Sequence, residues 1–146
     1  MSAETAERIV VITMRLLAVS FAVVGILFIA SPAGVISDLD EVGGWFGDFA
    51  TGPASDQRLW VGLAFAYMTV ITGLAILISL DVVRYRPLLL VLAAGKAASS
   101  LSAGAYFVFD EDVFAYLLNF LVDGGLVFIA LGCWVLAGRV EGQAPG

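Results

Sequence analysis

The chain has 146 residues, 61% of them hydrophobic and 14% charged, with a net charge of −6 and a mean hydropathy of +1.01. Soluble domains carry about a quarter charged residues, so an ordinary water-soluble core is excluded, and the acidic balance offers no basic patch for nucleic acid. With no histidine and a single cysteine, Cys133, there is no bis-histidine haem, histidine-ligated metal, histidine-based triad, Cys-x-x-Cys pair or internal disulfide.

Four apolar runs stand out: residues 9–31, 58–80, 87–109 and 113–137. Each holds about 23 residues, and about 20 suffice to cross the hydrocarbon layer as a helix. The runs are continuous and do not alternate, which favours helices over strands, and in lipid every backbone amide must be paired within the segment or in a closed barrel.

The first run, residues 9–31, follows "MSAETAER", which is net acidic. A signal peptide needs a basic flank and small residues correctly placed before the cut, and "SPAG" is a poor site, so the run is read as a retained span. Arg15 lies about 9 Å into it at 1.5 Å per residue, within reach of the interface by snorkelling.

The connection over residues 32–57 reads "PAGVISDLDEVGGWFGDFATGPASDQ". Val35, Ile36, Leu39 and Val42 recur at helical spacing, with Asp38 and Glu41 opposite. Ser37 or Asp38 is a candidate cap, Gly43 and Gly44 end the turn, and Trp45, Phe46 and Phe49 follow. This describes a short amphipathic element lying at the outer interface. Its simplest role is a loop held to the membrane by aromatics, and its functional one a lid or docking surface.

The second span, residues 58–80, carries a stripe of small residues, Gly62, Ala66, Thr69 and Gly73, together with Thr72. The third, residues 87–109, contains "LVLAAGKAASSLSAGAYFV", in which small residues surround Lys96. Small residues let helices approach closely in lipid, so this helix is expected to pack tightly, with the stripe on the second span as its match. "GKAASS" is not a phosphate loop, because Leu90 stands where the upstream glycine belongs and Ala97 follows the lysine. Only "DED" separates the third span from the fourth, residues 113–137, in which Cys133 is a packing residue near the inner end.

Short second and third connections make spans two and three, and three and four, antiparallel neighbours. The expected fold is all-α: one domain forming an integral membrane up-down four-helix bundle, with an amphipathic outer segment between helices 1 and 2. Arg8, Arg15, Arg84, Arg86 and Arg139 fall at the N-terminus, the second connection and the C-terminus, and only Arg58 falls opposite. The positive-inside rule then puts both termini in the cytoplasm. The other two connections are acidic, with Asp38, Asp40, Glu41, Asp48 and Asp56 in the first and Asp110, Glu111 and Asp112 in the third. They are read as solvated loop charge that gives the outer face a negative potential.

Lys96 lies about 14 Å past position 87, and Asp123 about 15 Å past position 113 from the opposite side. Both depths are the middle of a hydrocarbon core about 30 Å thick. Either charge alone costs about 2.5–3.5 kcal/mol on insertion scales. An ion pair between them is therefore expected, with Arg15–Asp123 as the rival. Ser99, Ser100 and Tyr106 share a helix face with Lys96, and Tyr116 and Asn119 share one with Asp123. The candidate buried polar cluster is thus Lys96, Asp123, Asn119, Ser99, Ser100, Tyr106, Tyr116 and Arg15. Buried intramembrane ions mark ion paths, proton relays and ligand sites, and the plainer alternative is a pair that fixes helix register.

"RLLAVSFAVVGILFIASP", from Arg15 through Gly25 to Pro32, is followed by a longer loop and then "RLWVGLAFAYMTVITGLAIL", from Arg58 through Gly62 and Gly73. This order resembles the DoxX-like group of small four-helix bacterial membrane proteins. The resemblance implies a bacterial plasma-membrane protein working beside redox enzymes, at the quinone pool. No cofactor ligand is present, and no cofactor is expected. The reading is a non-catalytic subunit or scaffold of a membrane complex, in contact with lipid and with a protein partner or a second copy. The alternative is a small transporter or ligand-binding protein using Lys96 and Asp123. A water-lined cavity at the pair favours the alternative, and a dry pair favours the subunit.

With Cys133 replaced by serine, an impermeant thiol reagent added outside should label a cysteine at Ala54 and spare one at Tyr85. The reverse pattern inverts the topology.

Overall fold

The computed structural model describes residues 1–53 and 57–142. Ala54, the labelling position, and Asp56, one of the acidic residues of the first connection, lie outside the described residues. The chain forms five helices: α1 (Ala3–Ala30), α2 (Pro32–Gly43), α3 (Arg58–Leu80), α4 (Arg86–Phe109) and α5 (Phe114–Glu141). Four are long and apolar enough to cross a membrane, and α2 is the short one between the first two. The protein is a multi-pass helical membrane protein.

Hydropathy locates the lipid-crossing core of a helix but not its polar ends. Helix α1 begins at Ala3, six residues before its apolar run, because the Ser2 hydroxyl caps it by accepting from the Thr5 amide at 3.2 Å. At 28 residues, α1 and α5 are each about 42 Å long, so both project beyond the hydrocarbon layer. The far end of α5 is held by Arg86 at the start of α4. Its Nε donates to the Trp134 carbonyl at 3.2 Å, its guanidinium lies 4.5 Å from the Trp134 ring centroid, and it pairs with Glu141. Gly138 makes room, since a Cβ there would sit 2.6 Å from the guanidinium.

The bundle is built from two helix pairs, α1 with α3 and α4 with α5, joined chiefly by α1 against α5. Helices α3 and α4 touch only lightly, despite the short link between them. The small stripe on α3 is therefore not the match for α4. Gly62 and Gly73 have no neighbour close enough to meet an added Cβ, and Gly62, Ala66 and Thr69 are exposed. The buried residues of α3 are instead Ile71, Ala75, Ile78 and Ser79. The small residues of α4 do bring a helix close, but the helix is α5: a Cβ on Gly104 would meet the Phe120 ring at 2.8 Å. On the α1–α3 side, Gly25 admits Met68 in the same way, at 2.9 Å.

Most of the core lies toward the termini, where Val10, Met14, Ala75, Ile78, Leu89, Ala130, Cys133 and Ala137 pack together. Large apolar side chains such as Leu16, Val19, Val70, Leu101 and Phe128 cover the outside. In water such a surface invites association; in a bilayer it is the ordinary lipid-facing coat.

Helix α2 begins earlier than its spacing suggests. Only Ser31 separates it from α1, and Pro32 occupies its first turn, where the missing amide costs no bond. Ser37 and Asp38 are thus mid-helix and cap nothing. Beyond Gly43 the chain folds onto the α4–α5 connection. Phe46 stacks on Phe114 at 5.8 Å, Phe49 meets the same ring edge-on at 5.3 Å, and the Ala50 amide donates to the Asp112 carbonyl. Gly43 allows this approach, because a Cβ would lie 2.7 Å from Phe114. The Asp40 carboxylate accepts the Gly52 amide with both oxygens, at 3.0 and 3.1 Å.

Trp45, 74% exposed at the end of α2, is placed to sit among headgroups. In a Trp60→Phe, Trp134→Phe background, lipids brominated near the carbonyls should quench Trp45 more strongly than lipids brominated at the chain ends. Stronger quenching by the chain ends would mean that this segment lies deep.

Candidate functional site

Lys96 Nζ donates to Asp123 Oδ1 at 2.9 Å, and the two side chains are 2% and 7% exposed. Lys96 is the largest fully buried side chain described. The geometry follows from the hairpin: a four-residue link joins α4 to α5, so residues at equal depth on the two helices face each other. The ammonium also lies 4.7 Å from the Phe21 ring centroid and 5.5 Å from that of Tyr67. Aromatic faces are negative and attract a cation strongly where water is excluded. Asp123 from α5, Phe21 from α1 and Tyr67 from α3 thus enclose one charge on α4.

The rest of the candidate cluster divides. Ser100 is buried, and its hydroxyl donates to the Phe120 carbonyl at 2.8 Å. Asn119 Nδ2 donates to Ser99 Oγ at 3.2 Å, about one turn along α5 from Asp123, with Asn119 itself exposed. Further toward the α2 end, the rings of Tyr106 and Tyr116 meet at 5.7 Å. These five residues and the ion pair lie along one line, the α4–α5 seam, as successive rungs from the exposed Tyr106 to mid-membrane. Arg15 is not among them. It is exposed on α1, and Asp123 is paired with Lys96, so the Arg15–Asp123 arrangement does not occur. Thr69 and Thr72 also stand apart, since each hydroxyl bonds its own helix, to the Phe65 and Met68 carbonyls.

Sequence reasoning missed Phe21 and Tyr67. Tyr67 is nine residues past Arg58, so its depth of about 14 Å matched that of Lys96 and was available from the sequence. The polar threonines drew attention instead. The Tyr67 hydroxyl is buried and has no hydrogen-bond partner. It rests over Gly95, where a Cβ would come within 3.3 Å of it. An unpaired buried hydroxyl costs about 1–3 kcal/mol, and a native structure that keeps one invites an explanation.

Three cavities adjoin these elements. One of about 470 Å³ lies between α1, α2 and α5. A second, of about 210 Å³, lies between α1 and α3 beside Phe21. A third, of about 220 Å³, lies under the loop after α2. Neither Lys96 nor Asp123 lines any of them. Among the described residues no group of three or more His, Cys, Asp or Glu side chains could hold a metal ion.

No known family matches the chain, and neither a curated protein nor a solved structure matches it.

Lys96→Met alone and Asp123→Leu alone should each destabilise the bundle by about 3 kcal/mol, because each strands a buried charge. The double variant should recover most of that loss, since it leaves no orphan. Reversible unfolding in mixed micelles measures the cycle, and additive losses would mean the two groups are uncoupled.

Proposed function

We propose that the chain is a small transporter or ligand-binding protein of the membrane, and that the Lys96–Asp123 pair is its working centre. The observation that carries this reading is the polar seam along α4 and α5. A pair serving only to fix register needs no polar approach. Here Tyr106 with Tyr116, then Ser99 with Asn119, lead from the α2 end toward the two charges. Groups able to donate and accept, spaced along one helix–helix contact, are what a proton or a small hydrogen-bonding ligand requires to reach mid-membrane. The Tyr67 hydroxyl, on a ring beside the ammonium, adds an unspent donor and acceptor.

The exchange this arrangement supports is simple. A proton moving from Lys96 to Asp123 converts two charges into two neutral groups, which low dielectric favours once the attraction between them weakens. A ligand that bonds to Asp123 would weaken it. The rings of Phe21 and Tyr67 hold the ammonium in place beside Asp123 by cation–π attraction.

A second reading, a non-catalytic subunit or scaffold of the kind the DoxX-like resemblance implies, draws support from one observation. The pair is closed off from the cavities around it, as a purely structural pair would be.

Proteoliposomes holding a pH-sensitive dye separate the two. Under an imposed potassium diffusion potential, the wild-type chain should admit protons faster than protein-free vesicles do. Asn119→Leu, which interrupts the seam and spares the pair, should slow the flux, and the Lys96→Met, Asp123→Leu double variant should abolish it. Wild-type flux no greater than that of empty vesicles would overturn proton linkage and favour the subunit.

A further inference from the structure

The largest of these three cavities is lined by neither member of the pair. Its floor is Val24, Leu27 and Phe28 on α1 together with Ala115, Leu118 and Val122 on α5, and its roof is Val35, Ile36 and Leu39 on α2. At about 470 Å³ it falls in the range of sites that hold small molecules, about 300–1,000 Å³. Two features show that it is built. The roof is fixed, because α2 follows α1 after one residue, Gly43 brings its far end against Phe114, and Asp40 grips the Gly52 amide. The cavity is also graded. Tyr116 and Asn119 are its only polar lining residues, and they lie about 3 and 8 Å past the start of α5, whereas Val122 lies about 12 Å in. Polar groups thus stand near the α2 end, and the deep end is apolar.

Charge selects among amphiphiles. Exposed Asp38, Glu41, Asp110, Glu111 and Asp112 crowd the α2 end of the bundle. The only basic residue there is Arg58, on the first turn of α3. Such a mouth repels anionic headgroups and attracts an ammonium.

We propose that this cavity is a binding site for one acyl chain of a zwitterionic phospholipid. The chain lies beneath α2 between α1 and α5, Tyr116 and Asn119 donate to the ester carbonyls, and the headgroup ammonium faces the carboxylates. The apolar face of α2 is then buried against lipid and protein together, which explains why this short helix lies down on the bundle.

The test uses the whole chain, purified in dodecyl maltoside and incubated with dioleoyl phosphatidylethanolamine or dioleoyl phosphatidylglycerol. Native mass spectrometry counts the lipid retained. The wild type should hold one phosphatidylethanolamine per chain and retain less phosphatidylglycerol. Leu39→Trp, which fills the cavity from the roof, should lose that lipid, whereas Val91→Trp, on the exposed face of α4, should keep it. Tyr116→Phe with Asn119→Leu leaves the space and removes the donors. It should weaken retention about fivefold to a hundredfold, the worth of two net hydrogen bonds, and it decides the matter if Leu39→Trp does not fold. Absence of a retained lipid, equal retention of the two headgroups, or retention unaffected by the cavity variants would overturn the proposal. Tyr116 and Asn119 belong to both the cavity and the polar seam, but lipid retention and proton flux are separate readouts, so failure of retention leaves the role of Lys96 and Asp123 untouched.

Discussion

A charged side chain in hydrocarbon must find its opposite or give up its charge, and this bundle is arranged around that requirement. Lys96 and Asp123 meet at 2.9 Å in the middle of the membrane-spanning region. Their meeting fixes the register of α4 against α5 to within a fraction of a turn, since a slip of one residue carries the carboxylate around the helix and away from the ammonium. Lys96 also reaches across to α1 and α3 through the rings of Phe21 and Tyr67. One side chain thereby touches all four long helices. Lipid supplies no hydrophobic force to gather helices, so a contact of this kind carries more of the burden of association than it would in water.

The remaining contacts are divided between the two ends. Toward the termini, apolar packing around Met14, Ile78 and Leu89 is closed by Arg86 gripping Trp134 and Glu141. Toward α2, aromatic stacking on Phe114 and the Asp40–Gly52 bond secure a helix that never enters the bundle. Three glycines toward the α2 end let these elements approach. Gly104 admits Phe120 between α4 and α5, Gly25 admits Met68 between α1 and α3, and Gly43 admits Phe114 beneath α2.

The long helices were legible because hydropathy over twenty residues is a strong signal, and the ion pair was legible because depth along a helix is simple arithmetic once two spans share a tight turn. Partnership between helices was harder. The small stripe on α3 reads as a packing face, yet Gly62 and Gly73 touch nothing, because small residues mark where a helix can approach and not where one does. Helix ends were also missed. The Ser2 cap and the grip of Arg86 on α5 extend two helices through polar sequence that hydropathy passes over. The aromatic box around Lys96 escaped for a related reason: Phe21 and Tyr67 look like ordinary span residues until a third helix brings the cation to them.

The turn between α4 and α5 has a bearing on how the protein is made. Lys96 leaves the ribosome 27 residues ahead of Asp123, and α4 is the least apolar of the four spans. Presented alone to the bilayer, it carries an unbalanced charge. Once α5 follows, the two can neutralise each other side by side. The α4–α5 hairpin is thus the natural unit of insertion, because only as a pair do the two helices carry no unbalanced charge.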